Sequence, residues 1–195
     1  MKFFNKSEIK TVSIILFFIF IACFFNFRIS IRRARDNTRK NDFNALVTTL
    51  QKYQSAFGEF PLSSDNGKIL ACKGDNTVFD KKLDKWINLR ECEWAKDSLA
   101  DFSDPRYPPD ETFLPADPYK EKGLNYIYLS NGSRYQLLAH LEGKDEAEYD
   151  VKIEARGISC GNDLCNYGIG FSSTPLDKSI EEYENEIIEK EKSNK

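Results

Sequence analysis

The sequence predicts an α+β fold in which a long N-terminal helix, membrane-spanning in its first half, packs on a small antiparallel β-sheet. Three observations carry this expectation. An uncharged run, TVSIILFFIFIACFFNF, fills residues 11–27. Neither glycine nor proline occurs before Gly58 and Pro61, so nothing punctuates a helix that starts near residue 8 and ends near 57. Further on, two runs rich in aromatic and aliphatic residues, 124–129 and 135–141, flank Ser130-Asn131-Gly132-Ser133, the chemistry of a β-hairpin.

The uncharged run spans about 26 Å as a helix, a little less than the roughly 30 Å of a bilayer's hydrocarbon core. Lys10 and Arg28 bound it, and their long stems can snorkel to make up the difference. Because lipid offers no partners for backbone amides, the segment is expected to be helical. A cleaved signal peptide would have a shorter apolar run and a small-x-small cleavage site. A lipoprotein would hinge on Ala22-Cys23, but Phe24-Phe25 makes a poor mature start. A buried core helix would show a polar face, which residues 14–21 lack. The expected organisation is therefore a cytoplasmic leader-like segment over 1–10 and one transmembrane helix over 11–27.

Charge is distributed unevenly around this segment. The formal net charge of −3, from 28 basic and 31 acidic residues, hides a basic first forty residues and an acidic remainder. An acidic body excludes nucleic acid as a partner, since phosphate neutralisation needs a basic face. The single histidine, His140, leaves no pair for acid–base chemistry and reads as a structural residue on one sheet face. No nucleophile motif and no glycine-rich phosphate loop occur, so no enzyme, catalytic residue or metal centre is expected.

Two rules conflict over orientation. Arg28, Arg32, Arg33, Arg35, Arg39 and Lys40 follow the apolar run, which by the positive-inside rule would place the body in the cytoplasm. The four cysteines outside the run, Cys72, Cys92, Cys160 and Cys165, are spaced for two local disulfides, although four cysteines allow three connectivities. A four-thiolate zinc site needs tighter spacing than Cys72 and Cys92 provide. Disulfides belong to oxidising compartments, so the body is expected to be extracytoplasmic, displayed from a single-pass anchor in the cell membrane. The arginines Arg28, Arg32, Arg33 and Arg35 then read as a membrane-surface anchor for lipid phosphates.

After the basic neck, Phe43, Leu46, Val47, Leu50, Tyr53 and Phe57 fall at helical spacing, one apolar stripe for the body to pack on. Residues 28–57 are thus expected to continue the helix, with Gly58 and Pro61 as its stop. Residues 58–175 form the expected head. Its first part, 62–118, reads as irregular loop held by Cys72 and Cys92, with a short helix at 80–89. The hairpin follows, then the acidic loop and a third strand at 149–158. Residues 176–195 have a charged helical pattern, with Ile180, Tyr183 and Ile187 on one stripe and Glu186 and Lys190 four apart.

Several motifs resemble the type IV pilin superfamily, and most closely the major pseudopilins of type II secretion. Tyr53-x3-Phe57-Gly58-Glu59-Phe60-Pro61 is similar to the end of their helix. Leu114-Pro115-Ala116-Asp117-Pro118-Tyr119 with Tyr126-Ile127-Tyr128 resembles the approach to their sheet. The neck around Arg33-Ala34-Arg35-Asp36, Arg39, Lys40 and Asp42 is similar to pilin-like proteins of candidate-phylum bacteria. The resemblance covers residues 4–142 and implies a pilin-like structural subunit of a type IV pilus or secretion-like apparatus. Its implied partners are the membrane, other pilin-like subunits and an assembly machinery. Phe4 then stands at the first position of the mature pattern and Glu8 at the fifth, the assembly carboxylate. Phe3 occupies the place where the family carries Gly, which supports an alternative: a membrane-tethered extracytoplasmic binding or receptor module that does not polymerise. The family also binds calcium in a loop that corresponds to residues 142–150; the residues themselves read rather as a solvated acidic loop, so no cofactor is expected.

Overall fold

Fifty-two residues run without a break in one helix, α1 (Lys6–Phe57). The computed structural model describes residues 6–83, 85–99 and 113–193, with side chains from residue 9 onward. Gly58 ends the helix at φ +83°, a left-handed conformation that only glycine takes freely, and donates its N–H to Gln54 O at 2.7 Å. The apolar first half is long and apolar enough to cross a membrane, and among the described residues nothing covers it. Phe17, Phe18 and Phe20 are each more than 60% exposed. Within it, the polar Asn26 amide donates to Ala22 O at 3.0 Å, so even this group is satisfied inside the helix.

The second half of α1 carries the head. After it come β1 (Leu62–Ser63), β2 (Ile69–Cys72), β3 (Val78–Asp80), β4 (Lys85–Ile87) and β5 (Arg90–Glu91). Strands β1, β2 and β5 form one antiparallel sheet in that order, and β3 and β4 form a separate hairpin. Beyond Pro118 come β6 (Ile127–Ser130), β7 (Tyr135–Ala139), α2 (Val151–Ala155), β8 (Tyr167–Gly170) and α3 (Ile180–Ser193). A second three-stranded antiparallel sheet has the order β6-β7-β8. The two small sheets meet where the Ser130 N–H donates to Ser63 Oγ at 3.0 Å and Tyr128 N–H to Gly67 O at 2.8 Å.

The expected apolar stripe lies against the head. Phe43, Leu46, Leu50 and Tyr53 are buried, and Val47 and Phe57 pack partly buried at its margin. Phe43 stacks on Tyr167 at 5.3 Å between ring centroids and meets Tyr126 edge-on at 5.2 Å. Such pairs add to the area that they bury. The disulfides are Cys72–Cys92 and Cys160–Cys165, two local bridges.

Three expectations are corrected. The described residues of 80–89 belong to a hairpin, not a helix: Phe79 and Trp86 face each other across β3 and β4 at 5.4 Å, and the Asp80 carboxylate accepts Lys82 N–H at 2.8 Å. The remainder of 62–99 also holds paired strands, each only two to four residues long, too short for alternation to reveal them. Residues 149–158 contain the short helix α2, started by Asp150, whose side chain accepts Lys152 N–H at 2.8 Å. The third strand of the second sheet is β8, which pairs Leu137 with Ile169 and Leu138 with Gly168. Its glycines hide it in the sequence, yet packing requires one of them: a Cβ on Gly168 would lie 2.6 Å from Leu137 O.

The tail docks on the hairpin through α3. Ser179 and Glu182 form a reciprocal capping box, with Glu182 N–H donating to Ser179 Oγ at 3.1 Å and Ser179 N–H to Glu182 Oε2 at 2.8 Å. Ile180 is buried, and the Asn131 amide donates to Glu184 at 2.9 Å.

Replacing Gly168 by Ala is expected to destabilise the head by about 1–3 kcal/mol, because the new methyl meets backbone rather than a movable side chain. A urea titration followed by tryptophan fluorescence reads this. A midpoint equal to wild type would show that the close approach has no energetic consequence.

Candidate functional site

The 3–4 spacing of the apolar stripe continues below Phe43 to Arg39 and Asp36, so α1 turns two charged residues toward the head. Both are completely buried. Arg39 Nε and Nη2 donate to the two oxygens of Asp117 at 2.8 and 3.0 Å, a bidentate pair. Arg39 Nη1 reaches Asp36 Oδ1 at 2.7 Å and Glu142 Oε1 at 2.9 Å. Asp36 in turn accepts the backbone N–H of Glu142 at 3.0 Å and of Gly143 at 3.1 Å. One guanidinium therefore binds carboxylates from α1, from the segment before β6 and from the loop after β7.

Around this centre the basic neck and the acidic loop are matched. Arg35 pairs with both oxygens of Glu142, at 2.7 and 2.5 Å, and its guanidinium lies 4.2 Å from the centroid of the Tyr119 ring. Arg32 and Arg33 reach Asp145 at 2.5 and 3.3 Å. Lys40 reaches Glu146 at 2.8 Å and Glu148 at 2.5 Å. Above the cluster, Tyr126 donates its hydroxyl to Asp42 Oδ2 at 2.6 Å. Burial raises both the Asp42 carboxyl and the Tyr126 phenol above their ordinary values.

The charges respond as the geometry requires. Burial alone would lower the Arg39 pKa, but the hydrogen bonds that it donates to Asp117, Glu142 and Asp36 outweigh it and the guanidinium stays charged. Burial alone would raise the Glu142 carboxyl, but Arg35 and Arg39 hold it below its ordinary value. The hydrogen bond from Arg32 holds Asp145 low, and that from Lys40 holds Glu148 low.

This arrangement redistributes the residues picked out in the sequence. Of the anchor arginines, Arg32, Arg33 and Arg35 are engaged with the head, while Arg28 lies over the Phe24 ring at 5.9 Å. Of the loop proposed for calcium, Glu142, Asp145, Glu146 and Glu148 are bound to neck cations, and Asp150 caps α2. Among the described residues, no group of three or more His, Cys, Asp or Glu side chains is arranged to hold a metal ion. His140 directly follows β7, the central strand of its sheet, with Nδ1 2.8 Å from Leu164 O. Glu8 lies within α1, its side chain outside the described residues, and Phe4 lies outside them altogether. The burial of Asp36, Arg39 and Asp117 was missed because charged residues read as solvated; the unbroken 3–4 spacing 36, 39, 43, 46, 50, 53 was the available signal.

No protein-family model matches the chain, and no curated protein or solved structure matches it either.

Chemically, the site is a fastening. Asp36, Asp117, Glu142, Asp145, Glu146 and Glu148 each already hold a cation. Arg39→Met is expected to cost about 3–5 kcal/mol in urea unfolding, because it strands buried carboxylates, whereas exposed Arg33→Ala should change stability by less than about 1 kcal/mol. Equal effects would refute the distinction between centre and rim. The pH dependence has a defined sign. Glu142, Asp145 and Glu148 have lowered pKa values in the folded chain, so their contribution is full above the ordinary value of 4.5 for Glu and is lost as pH falls below it through the folded values. Thermal midpoints that stay constant from pH 6 down to pH 3 would contradict this.

Proposed function

We propose that the chain is a pilin-like or pseudopilin-like structural subunit, held in the membrane by residues 11–27, with its head outside the cytoplasm. Assembly would proceed by packing of its N-terminal helix against those of neighbouring copies. The observation that carries this reading is the two-part character of α1. Its apolar half is exposed on all sides, while the same unbroken helix forms the spine of the head. An apolar cylinder of this kind needs lipid or other helices around it. Continuity with the head means that a helix leaving the bilayer for a filament carries its head with it in a fixed orientation.

Two further features support the reading. The two disulfides suit an oxidising compartment. The neck arginines, which the positive-inside rule would count toward a cytoplasmic body, have a structural use in the head. Loop 142–150 needs no calcium to be ordered in this scheme, since neck cations already neutralise it.

In the native host, Glu8→Ala is expected to remove the chain from the sheared filament fraction and leave it in the membrane fraction. Non-reducing peptide mapping should still find Cys72–Cys92 and Cys160–Cys165 linked. Normal incorporation of the variant would remove Glu8 from assembly. A wild-type chain confined to the membrane as a monomer would support the tethered, non-polymerising module instead.

A further inference from the structure

At the far end of α1, the helix and the β3–β4 hairpin enclose an open cleft of about 490 Å³. This lies within the roughly 300–1,000 Å³ of small-molecule sites. The helix rises about 1.5 Å per residue, which places the cleft about 45 Å beyond Phe27 along the axis. Cys72–Cys92 closes the base of the segment that carries the hairpin, so the outer wall is tethered to the core. Asn88 in that wall takes φ +59°, which asparagine tolerates, and its carbonyl accepts the Thr77 hydroxyl at 3.0 Å.

The lining combines aromatic surface with polar groups of both signs. Tyr53, Phe57 and Trp86 contribute rings, and Glu59, Lys85 and Asn88 contribute a carboxylate, an ammonium and an amide. Tyr53 is more than nine-tenths buried and lines the cleft. Burial, reinforced by the neighbouring Glu59 carboxylate, pushes the phenol up to about 12, so it remains a hydrogen-bond donor at any physiological pH.

We propose that this cleft is a saccharide-binding site. Glu59 disfavours an anion and Lys85 disfavours an organic cation, which leaves a neutral ligand. A sugar ring offers an apolar C–H face to stack on Trp86 or Phe57. Its hydroxyls both donate and accept, so they can serve the Tyr53 hydroxyl, the Glu59 carboxylate and the Asn88 amide together. The position at the end of the head farthest from the apolar half of α1 gives an extended glycan free access. The inference does not depend on whether the chain polymerises.

The test uses the full chain in a non-glycosidic detergent, applied to an array of neutral and acidic oligosaccharides. The best-retained glycan is then titrated by tryptophan fluorescence. Retention of a subset of neutral glycans is expected, with binding abolished in Trp86→Ala and weakened about five- to tenfold in Tyr53→Phe. Tyr53→Phe removes one hydroxyl and leaves the ring in place, so it carries the test even if Trp86→Ala fails to fold. Retention of no glycan, retention of acidic glycans only, or a Tyr53→Phe affinity equal to wild type would each overturn the proposal.

Discussion

A guanidinium with no exposure to water is sustainable only if carboxylates surround it, and the position of Arg39 on α1 imposes that requirement on the rest of the head. Asp117 precedes the β6–β7 hairpin and Glu142 follows it, so the two ends of the hairpin converge on one side chain. Asp36, one turn earlier on the helix, completes the grip by binding the amides of Glu142 and Gly143. The orientation of the second sheet on α1 is thereby fixed at its base before any apolar contact is considered. Because carboxylates from both flanks of the hairpin must reach the same guanidinium, the cluster matches one placement of the hairpin on the helix.

Hydroxyl groups on the sheet extend the same control upward. Tyr126 and Tyr128 lie two residues apart on one face of the chain, yet they bond to different parts of the spine: Asp42 near the neck and Pro61 just past the helix stop, the latter at 2.7 Å. Between these polar ties lies the apolar contact, with Phe43, Leu46 and Leu50 against the sheet's aromatic residues. Polar bonds set position at both ends, and the packed rings between them supply most of the burial.

The long helix, its stop at Gly58, the hairpin and both disulfides were legible in the sequence, because each rests on local chemistry: uninterrupted helical spacing, a glycine at positive φ, Asn-Gly between apolar runs, and cysteines close in sequence. The errors arose where tertiary contacts override local pattern. The run 149–158 is β-branched and aromatic enough for a strand, but Asp150 caps it into a helix. Strand β8 carries glycines that propensity disfavours and close packing demands. The buried charges of the neck were invisible for a different reason. A burial pattern read from apolar residues stops at Phe43, while the buried face itself continues for two more turns through residues whose partners lie about eighty to one hundred positions away.

The fastening of the head to an unbroken helix makes the molecule a lever. Because α1 is one continuous helix and the neck is closed by ion pairs, a change in the inclination of the apolar half is carried to the far end. Over the roughly 45 Å arm, a rotation of ten degrees sweeps the tip through about 8 Å. A shift of fractions of an ångström per turn at the apolar end thus becomes a displacement comparable to a side chain's length at the far one. Whatever surrounds residues 11–27, whether lipid of a given thickness or other helices at a given angle, sets the position at which the head is presented.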